Sequence, residues 1–220
     1  AQDKKDFWDE KILKYWLPVD LYVGGVEHAV LHLLYARFWH KFLYDTDVVP
    51  TKEPFQKLIN QGLVLGPDGQ KMSKSRGNVV SPDEMIEKFG ADALRMYMMF
   101  MSPFGDQKPW DPKGVVGLKR FLDRVWKFGR HFADVDARIA RTLNKTIKKV
   151  GEDIEAFKFN TAISALMVLL NEMEKIGASM EDFSIFLKLL APFAPYLAEE
   201  LWSKLGNKTS IHIEEWPKYD

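Results

Sequence analysis

Beyond Lys113 the apolar residues of this 220-residue chain recur every third or fourth position, a period that suits helices packed on one another. Leu118, Phe121, Leu122, Val125 and Phe132 make one stripe, and Ile139, Leu143, Ile147 and Val150 make a second that continues past Gly151 toward Phe157. A third, opening at Asn160 or Thr161, holds Ile163, Leu166, Leu170, Met173 and Ile176. The last begins at Ser179, carries Phe183, Phe186, Leu187 and Leu190, and is interrupted by Pro192 and Pro195 before residues 196–205. Short links between long amphipathic segments predict an antiparallel α-helical bundle over residues 114–220. With 46% hydrophobic residues and seven tryptophans, the chain can bury a substantial core in one or two domains.

Upstream the period changes. Val19-Asp20-Leu21-Tyr22-Val23, entered from Pro18, alternates and is β-branched at two positions, so it reads as a strand ending at Gly24-Gly25. Val26, Ala29, Val30, Leu33, Leu34 and Phe38 then recur at helical spacing through about Leu43. Strand, double glycine and helix make half of a nucleotide-binding crossover. Glycines let backbone approach a ligand closely, and the free N–H groups of a helix start favour acceptors. Glu27, in the first helical turn, is placed to accept hydrogen bonds from hydroxyls such as those of a ribose. The same pattern also suits a tight turn whose Glu27 complements the helix dipole. His28 and His32 are four apart on one helix face, but no third ligand accompanies them, so packing histidines are expected and no protein-bound metal.

After a turn at Asp45-Thr46-Asp47, residues from Glu53 to about Asn60 read as a short helix. Gly62-Leu63-Val64-Leu65 reads as a second strand, ending in the turn Gly66-Pro67-Asp68-Gly69. Lys71-Met72-Ser73-Lys74-Ser75-Arg76-Gly77-Asn78 follows directly, so it hangs from the C-terminal end of a strand, the edge where ligands bind in open α/β sheets. Two lysines three residues apart with serines between them suit a polyanion that must be gripped and released, as a polyphosphate is. Ser81 as N-cap, Pro82 at the first helical position and Glu84 at the third open a helix that Gly90 stops after Phe89. A second helix follows, with Leu94, Tyr97 and Met98 as its core stripe and Met96, Met98, Met99 and Met101 as adaptable filler. Residues 106–113, with Trp110 between two prolines, read as a domain junction.

Net charge is zero, which argues against blanket nucleic-acid affinity, but the charges are unevenly spread. From Val116 to Val150 ten Lys or Arg face three acidic residues, and from Gly151 onward six face twelve. Two accounts fit: helices that pair with one another, or a surface for a phosphate backbone. There is no cysteine, hence no disulfide framework and no thiolate metal site. The N-terminus lacks a signal-peptide core and the apolar runs are short, so a cytoplasmic protein is expected.

These residues resemble a family. Lys71-Met72-Ser73-Lys74-Ser75 matches the KMSKS signature of class I aminoacyl-tRNA synthetases. The run from Tyr22 to Tyr35 with Arg37-Phe38, then Glu53-Pro54-Phe55, Gln61 to Leu65 and Gly90-Ala91-Asp92, is similar to the leucyl-tRNA synthetase family in order and spacing. The isoleucine and valine enzymes typically carry Asp-Gln where this chain has Glu27-His28. The resemblance implies an α/β plus all-α chain: the second half of a Rossmann-type domain (1–66), the KMSKS loop with a stem-contact helical region (67–113), and an anticodon-binding-type bundle (114–220). It implies leucine activation by ATP with Mg²⁺ as counter-ion, then transfer to tRNA(Leu). Lys74, and to a lesser degree Lys71, would hold the triphosphate in the transition state. Gly24, Gly25, Glu27 and His28 would line the adenosine site, with Leu63 and Val64 beside the adenine. Tyr22 and His32 would line the leucine pocket. For the helices after the junction it implies tRNA backbone contacts from Lys119, Arg120, Arg124, Lys127 and Arg130, with Arg138 and Arg141 on the same basic surface.

The chain departs from the family pattern in holding no HIGH-type motif, no first Rossmann half and no inserted editing domain. It is therefore expected to be nearly inactive alone, as a fragment or as one subunit of a split enzyme, and to work with the N-terminal half or another subunit. Two alternatives are a non-catalytic tRNA-binding module and a piece of a synthetase for another branched aliphatic amino acid. Against the first, such a module need not keep Lys71, Lys74, Glu27 and His32 together.

Overall fold

The computed structural model describes residues 8–129, 132 and 137–220. Two compact units divide between Leu63 and Val64. The first contains helix α1 (Glu10–Trp16), strand β1 (Tyr22–Gly25), helix α2 (His32–Asp45) and strand β2 (Leu58–Gln61). β1 and β2 are parallel, with Tyr22 opposite Leu58 and Gly25 opposite Gln61. Parallel neighbours need a crossover, and α2 lies within it.

Several elements differ from those expected, among them the strand over residues 62–65, of which only Val64–Leu65 pairs in a ladder. The strand expected over residues 19–23 is displaced: Val19 makes only an isolated bridge to Phe55, and the ladder runs from Tyr22 through both glycines. The helix expected from Val26 is broken, a 3-10 turn over Val26–Ala29 preceding α2, because Leu31 (φ −111°, ψ −105°) leaves the helical region. The short helix expected before Asn60 is strand β2 in part. Four residues are too few for periodicity to separate the two states, and the parallel ladder with β1 decides.

In the second unit, strand β3 (Val64–Leu65) precedes helices α3 (Pro82–Phe89) and α4 (Ala91–Phe100), and strand β4 (Lys108–Pro109) lies parallel to β3. Helices α5 (Pro112–Phe128), α6 (Ala137–Glu155), α7 (Phe159–Ile176), α8 (Met180–Leu190) and α9 (Pro195–Lys204) complete it. The whole is a mixed α/β chain, mostly helical, with two small parallel sheets. Among the described residues no helix is long and apolar enough to cross a membrane.

Residues 106–113 lie inside this second unit. The Trp110 N–H donates to the Leu65 carbonyl at 2.9 Å, and its buried ring meets Tyr97 edge-on at 4.8 Å. The Tyr97 hydroxyl accepts from the Asp111 N–H at 2.9 Å. Gly114 passes beneath the same ring so closely that a Cβ there would sit 2.3 Å from it.

α3 has the bounds its flanking residues foretell: Pro82 occupies the first turn, and Gly90, at φ +89°, closes the helix with its N–H on the Ile86 carbonyl. Ser81 stands at the cap position without a side-chain bond. The buried face of α4 is Asp92, Ala93, Met96 and Tyr97, while Met98 is exposed, so the expected stripe is rotated. Asp92 explains the rotation. Its carboxylate accepts the N–H groups of Tyr196 (3.3 Å) and Leu197 (2.7 Å) in the first turn of α9, capping a helix about a hundred residues away. Burial raises the Asp92 pKa above the usual carboxylate value, outweighing the two N–H groups that hold it down. Arg95, one turn on, donates to the Pro192 carbonyl at 3.0 and 3.3 Å.

Leu118, Phe121, Leu122 and Val125 of α5, Ile139, Leu143, Ile147 and Val150 of α6, and the stripes of α7 (to Met173) and α8 are buried in one core with Phe193, Ala198 and Leu201, while Ile176 is partly buried against it and Phe132, expected on the first stripe, is exposed. Ser179 and Asp182 form a reciprocal capping box at the start of α8.

Candidate active site

The double glycine, its carboxylate and the aromatic residues around it lie in the first unit. Gly24 and Gly25 are the last two residues of β1, and a Cβ on Gly25 would stand 2.3 Å from the Glu27 carboxylate. Glu27 thus folds back over the strand end, which only glycine leaves open. Tyr22 stacks on His32 (5.5 Å between ring centroids, 24° between planes), and Phe55 closes on Tyr22 at 4.9 Å. The two residues assigned to an amino-acid pocket therefore share one aromatic cluster, with a third member that periodicity did not single out. His28 lies in the 3-10 turn, and its Nδ1 is buried with no hydrogen-bond partner among the described residues. Such an atom is costly unless a ligand or water satisfies it.

Arg37 and Glu53 form a two-bonded fork, both N···O distances 2.8 Å, with Lys41 at 3.2 Å from the same carboxylate. The buried His40 donates from Nε2 to the Thr51 carbonyl at 2.6 Å. Together they tie α2 to the segment that carries Phe55. The Arg37 hydrogen bond, helped by Lys41 and opposed by desolvation, lowers Glu53 from 4.5 to about 2. Because the folded value lies below the unfolded one, this contribution is present above pH 4.5 and is lost as pH falls through about 2. Acid titration of thermal stability is expected to show that loss in the wild type, and Glu53→Gln is expected to remove it from the profile.

The lysine loop lies in the second unit. Lys71 bridges antiparallel to Leu65, and residues 74–76 form a 3-10 turn that ends at Gly77, φ +65°. Lys71 and Lys74 are exposed, and among the described residues neither makes an ion pair. The Ser73 and Ser75 hydroxyls lie 2.8 Å apart. Both ammonium groups are therefore available to an anion. Leu63 closes the first unit and Val64 opens the second, in β3.

The helical basic residues divide into two groups. Arg124 is engaged by Glu174 and Asn171 of α7, and Lys119 by Asp123 one turn along α5. For Arg124 the helix-pairing account of the charge asymmetry holds. Arg120, Lys127 and Arg141 are exposed with no ion pair among the described residues, and Arg138 is exposed. Arg130 lies outside the described residues. Among those residues no group of three or more His, Asp or Glu side chains is arranged to hold a metal ion.

Residues 5–111 match the family of tRNA synthetases class I (I, L, M and V), and residues 136–220 match the anticodon-binding domain of tRNA ligases. The chain accordingly carries a class I tRNA synthetase domain followed by an anticodon-binding domain. A solved structure of Agrobacterium radiobacter K84 agnB2 LeuRS, in a ternary complex with tRNA and LeuAMS, superimposes with a TM-score of 0.88 at 35% identity, covering 96% of this chain. Methionyl-tRNA synthetase of Mycobacterium tuberculosis, bound by methionyl-adenylate, shares the fold with a TM-score of 0.68 at 20% identity over 88% of this chain. The chain spans 31% of the first of these proteins and 45% of the second.

Proposed function

We propose that this chain supplies the KMSKS half of a leucine–tRNA ligase, together with tRNA-binding helices, and acts with a segment carrying the HIGH-type half. The observation that carries the reading is the clustering of Tyr22, His32 and Phe55 beside a strand end where Gly24 and Gly25 make room for the Tyr22 ring and the Glu27 carboxylate. An aromatic cluster suits an apolar, branched side chain, and a carboxylate held at the strand end suits the hydroxyls of a nucleoside. The LeuRS likeness at 35% identity supports leucine as that side chain.

In this reading the leucine carboxylate attacks the α-phosphorus of ATP, the bond from that phosphorus to the bridging oxygen breaks, and pyrophosphate leaves with the electron pair. Charge builds on the β- and γ-phosphate oxygens, where a positioned ammonium stabilises the transition state more than the ground state. Lys74, and to a lesser degree Lys71, fill that role. Gly24, Gly25, Glu27 and His28 take the adenosine, Glu27 accepting from the ribose hydroxyls and the His28 Nδ1 gaining a partner. The Leu63 and Val64 backbone flanks the adenine. Mg²⁺ enters as the counter-ion of ATP. Residues 1–66 act as the second half of the Rossmann domain, residues 67–113 as loop and stem contact, and residues 114–220 as an antiparallel bundle that holds tRNA(Leu). The site of action is the cytoplasm.

ATP–pyrophosphate exchange, with the remainder of the enzyme added in trans, tests the function. Exchange that depends on leucine and not on isoleucine or valine is the expected result, and exchange indifferent to leucine would refute it. The tRNA surface has its own test. Arg120→Ala and Lys127→Ala are each expected to reduce the slope of log affinity against log salt by about one, and to weaken all tRNA sequences alike. Arg124→Ala is expected to cost stability instead, because its charge is already spent on Glu174.

A further inference from the structure

The lysine loop is closed by a side chain outside its signature. The Asn78 Oδ1 accepts the Ser73 N–H at 2.8 Å, and its Nδ2 donates to both carboxylate oxygens of Asp68 at 3.0 Å, with the Lys71 carbonyl at 3.4 Å. Asp68 in turn accepts the Gln70 N–H at 3.1 Å. One amide thus spans the base of the loop and holds backbone beside both lysines. The partners fix its orientation, because an ionised carboxylate can only accept and a backbone N–H can only donate. Gly66 makes the space. A Cβ there would come within 2.7 Å of the Asp68 carboxylate and 2.8 Å of the Asn78 amide. Gly77, at φ +65°, turns the chain back so that residue 78 can reach across.

From this geometry we infer that Asn78 and Asp68 form a latch that positions Lys71 and Lys74 on the phosphates, Asn78 as the positioning residue and Asp68 as its anchor. The inference rests on the reading of the loop as the pyrophosphate grip. A long flexible side chain on a loose loop would present its ammonium in many places. The latch limits those places through the backbone at Lys71 and Ser73. A displacement of about 1 Å at a reacting centre can cost on the order of a hundredfold in rate, so the latch acts on the rate and leaves ground-state ATP binding nearly unchanged.

The donor and acceptor pattern can be exchanged, and that gives the test. In the full chain reassembled with the rest of the enzyme, Asn78→Asp places two carboxylates together. It is expected to speed amide exchange at Ser73 about tenfold and to lower kcat of pyrophosphate exchange by about tenfold to a hundredfold at nearly constant KM for ATP. The double variant Asp68→Asn, Asn78→Asp restores one donor facing one acceptor, and recovery of both readouts is the expected result. Unchanged Ser73 protection in Asn78→Asp, or no rescue in the double variant, would overturn the latch. Faster Ser73 exchange with an undiminished rate would also refute positioning, and would count against the lysine-loop role itself. A reassembled wild type without leucine-dependent exchange would sink the ligase reading, while Ser73 protection would still report on the latch.

Discussion

Lys74→Ala is expected to lower leucine-dependent pyrophosphate exchange by about a hundredfold or more, the scale seen when one preorganised donor to a developing oxyanion is removed. The fold should not notice. Lys74 is exposed at the start of a three-residue turn, and among the described residues it makes no ion pair whose loss would release a partner. Its melting temperature should therefore match the wild type, which separates chemistry from stability. The loss should fall on kcat more than on KM for ATP, because the charge it meets grows as the leaving group departs. Lys74→Arg should recover only part of the rate, since a planar fork does not place charge where a compact ammonium does. Lys71→Ala should cost less. The Lys71 backbone is pinned to Leu65 and its carbonyl lies near the Asn78 amide, so much of what residue 71 does survives loss of the side chain. Exchange by Lys74→Ala at the wild-type rate would sink the assignment.

How far the sequence could be read depended on how local the deciding interaction was. The helices after Lys113 were legible because an apolar stripe along a helix of 10 or more residues marks its own buried face, and Ser179 or Gly90 marks a helix end through bonds made within four residues. β2 was not legible, since Leu58–Gln61 is a strand only through its register with Tyr22–Gly25, across the whole of α2. The same holds for Asp92, whose partners are the N–H groups of residues 196 and 197, and for Trp110, which the β3–β4 pair draws into the core. At the candidate site Gly24, Gly25 and Glu27 were readable by type, and the geometry adds that the carboxylate occupies the space a Gly25 side chain would need. Phe55 and the orphaned His28 Nδ1 were not readable, because stacking and desolvation appear only when distant segments meet. Arg124, a cation that the resemblance assigns to tRNA, is engaged by Glu174 of α7, a pairing between distant helices that a count of charges does not reveal.

Cut at the boundary of its two units, the chain is expected to give a C-terminal piece, residues 64–220, that unfolds cooperatively and an N-terminal piece, residues 1–63, that does not fold alone. The second unit contains nearly all of the buried apolar core. In the first, Val49 is the only hydrophobic side chain that is buried among the described residues. Val30, just before α2, and Leu34, Tyr35, Phe38, Trp39 and Phe42 of α2 are all more than half exposed. A lone two-stranded sheet is marginal in water, and parallel strands are found with both faces covered. Burying an apolar side chain of this size is worth about 1.5–3 kcal/mol, so six of them hold back roughly 10 kcal/mol, as much as a small domain's whole stability. The exposed Arg37–Glu53 fork cannot supply that. Under the proposed function, the segment carrying the HIGH-type half would extend the β1–β2 pair with further strands and cover α2 with a face of its own. Circular dichroism should therefore show residues 1–63 largely without stable structure, and amide exchange should show protection of residues 22–25 and 58–61 appearing when the HIGH-type half is added. Slow exchange of those amides in the isolated piece would mean that the first unit stabilises itself, and the need for a partner would fall with it.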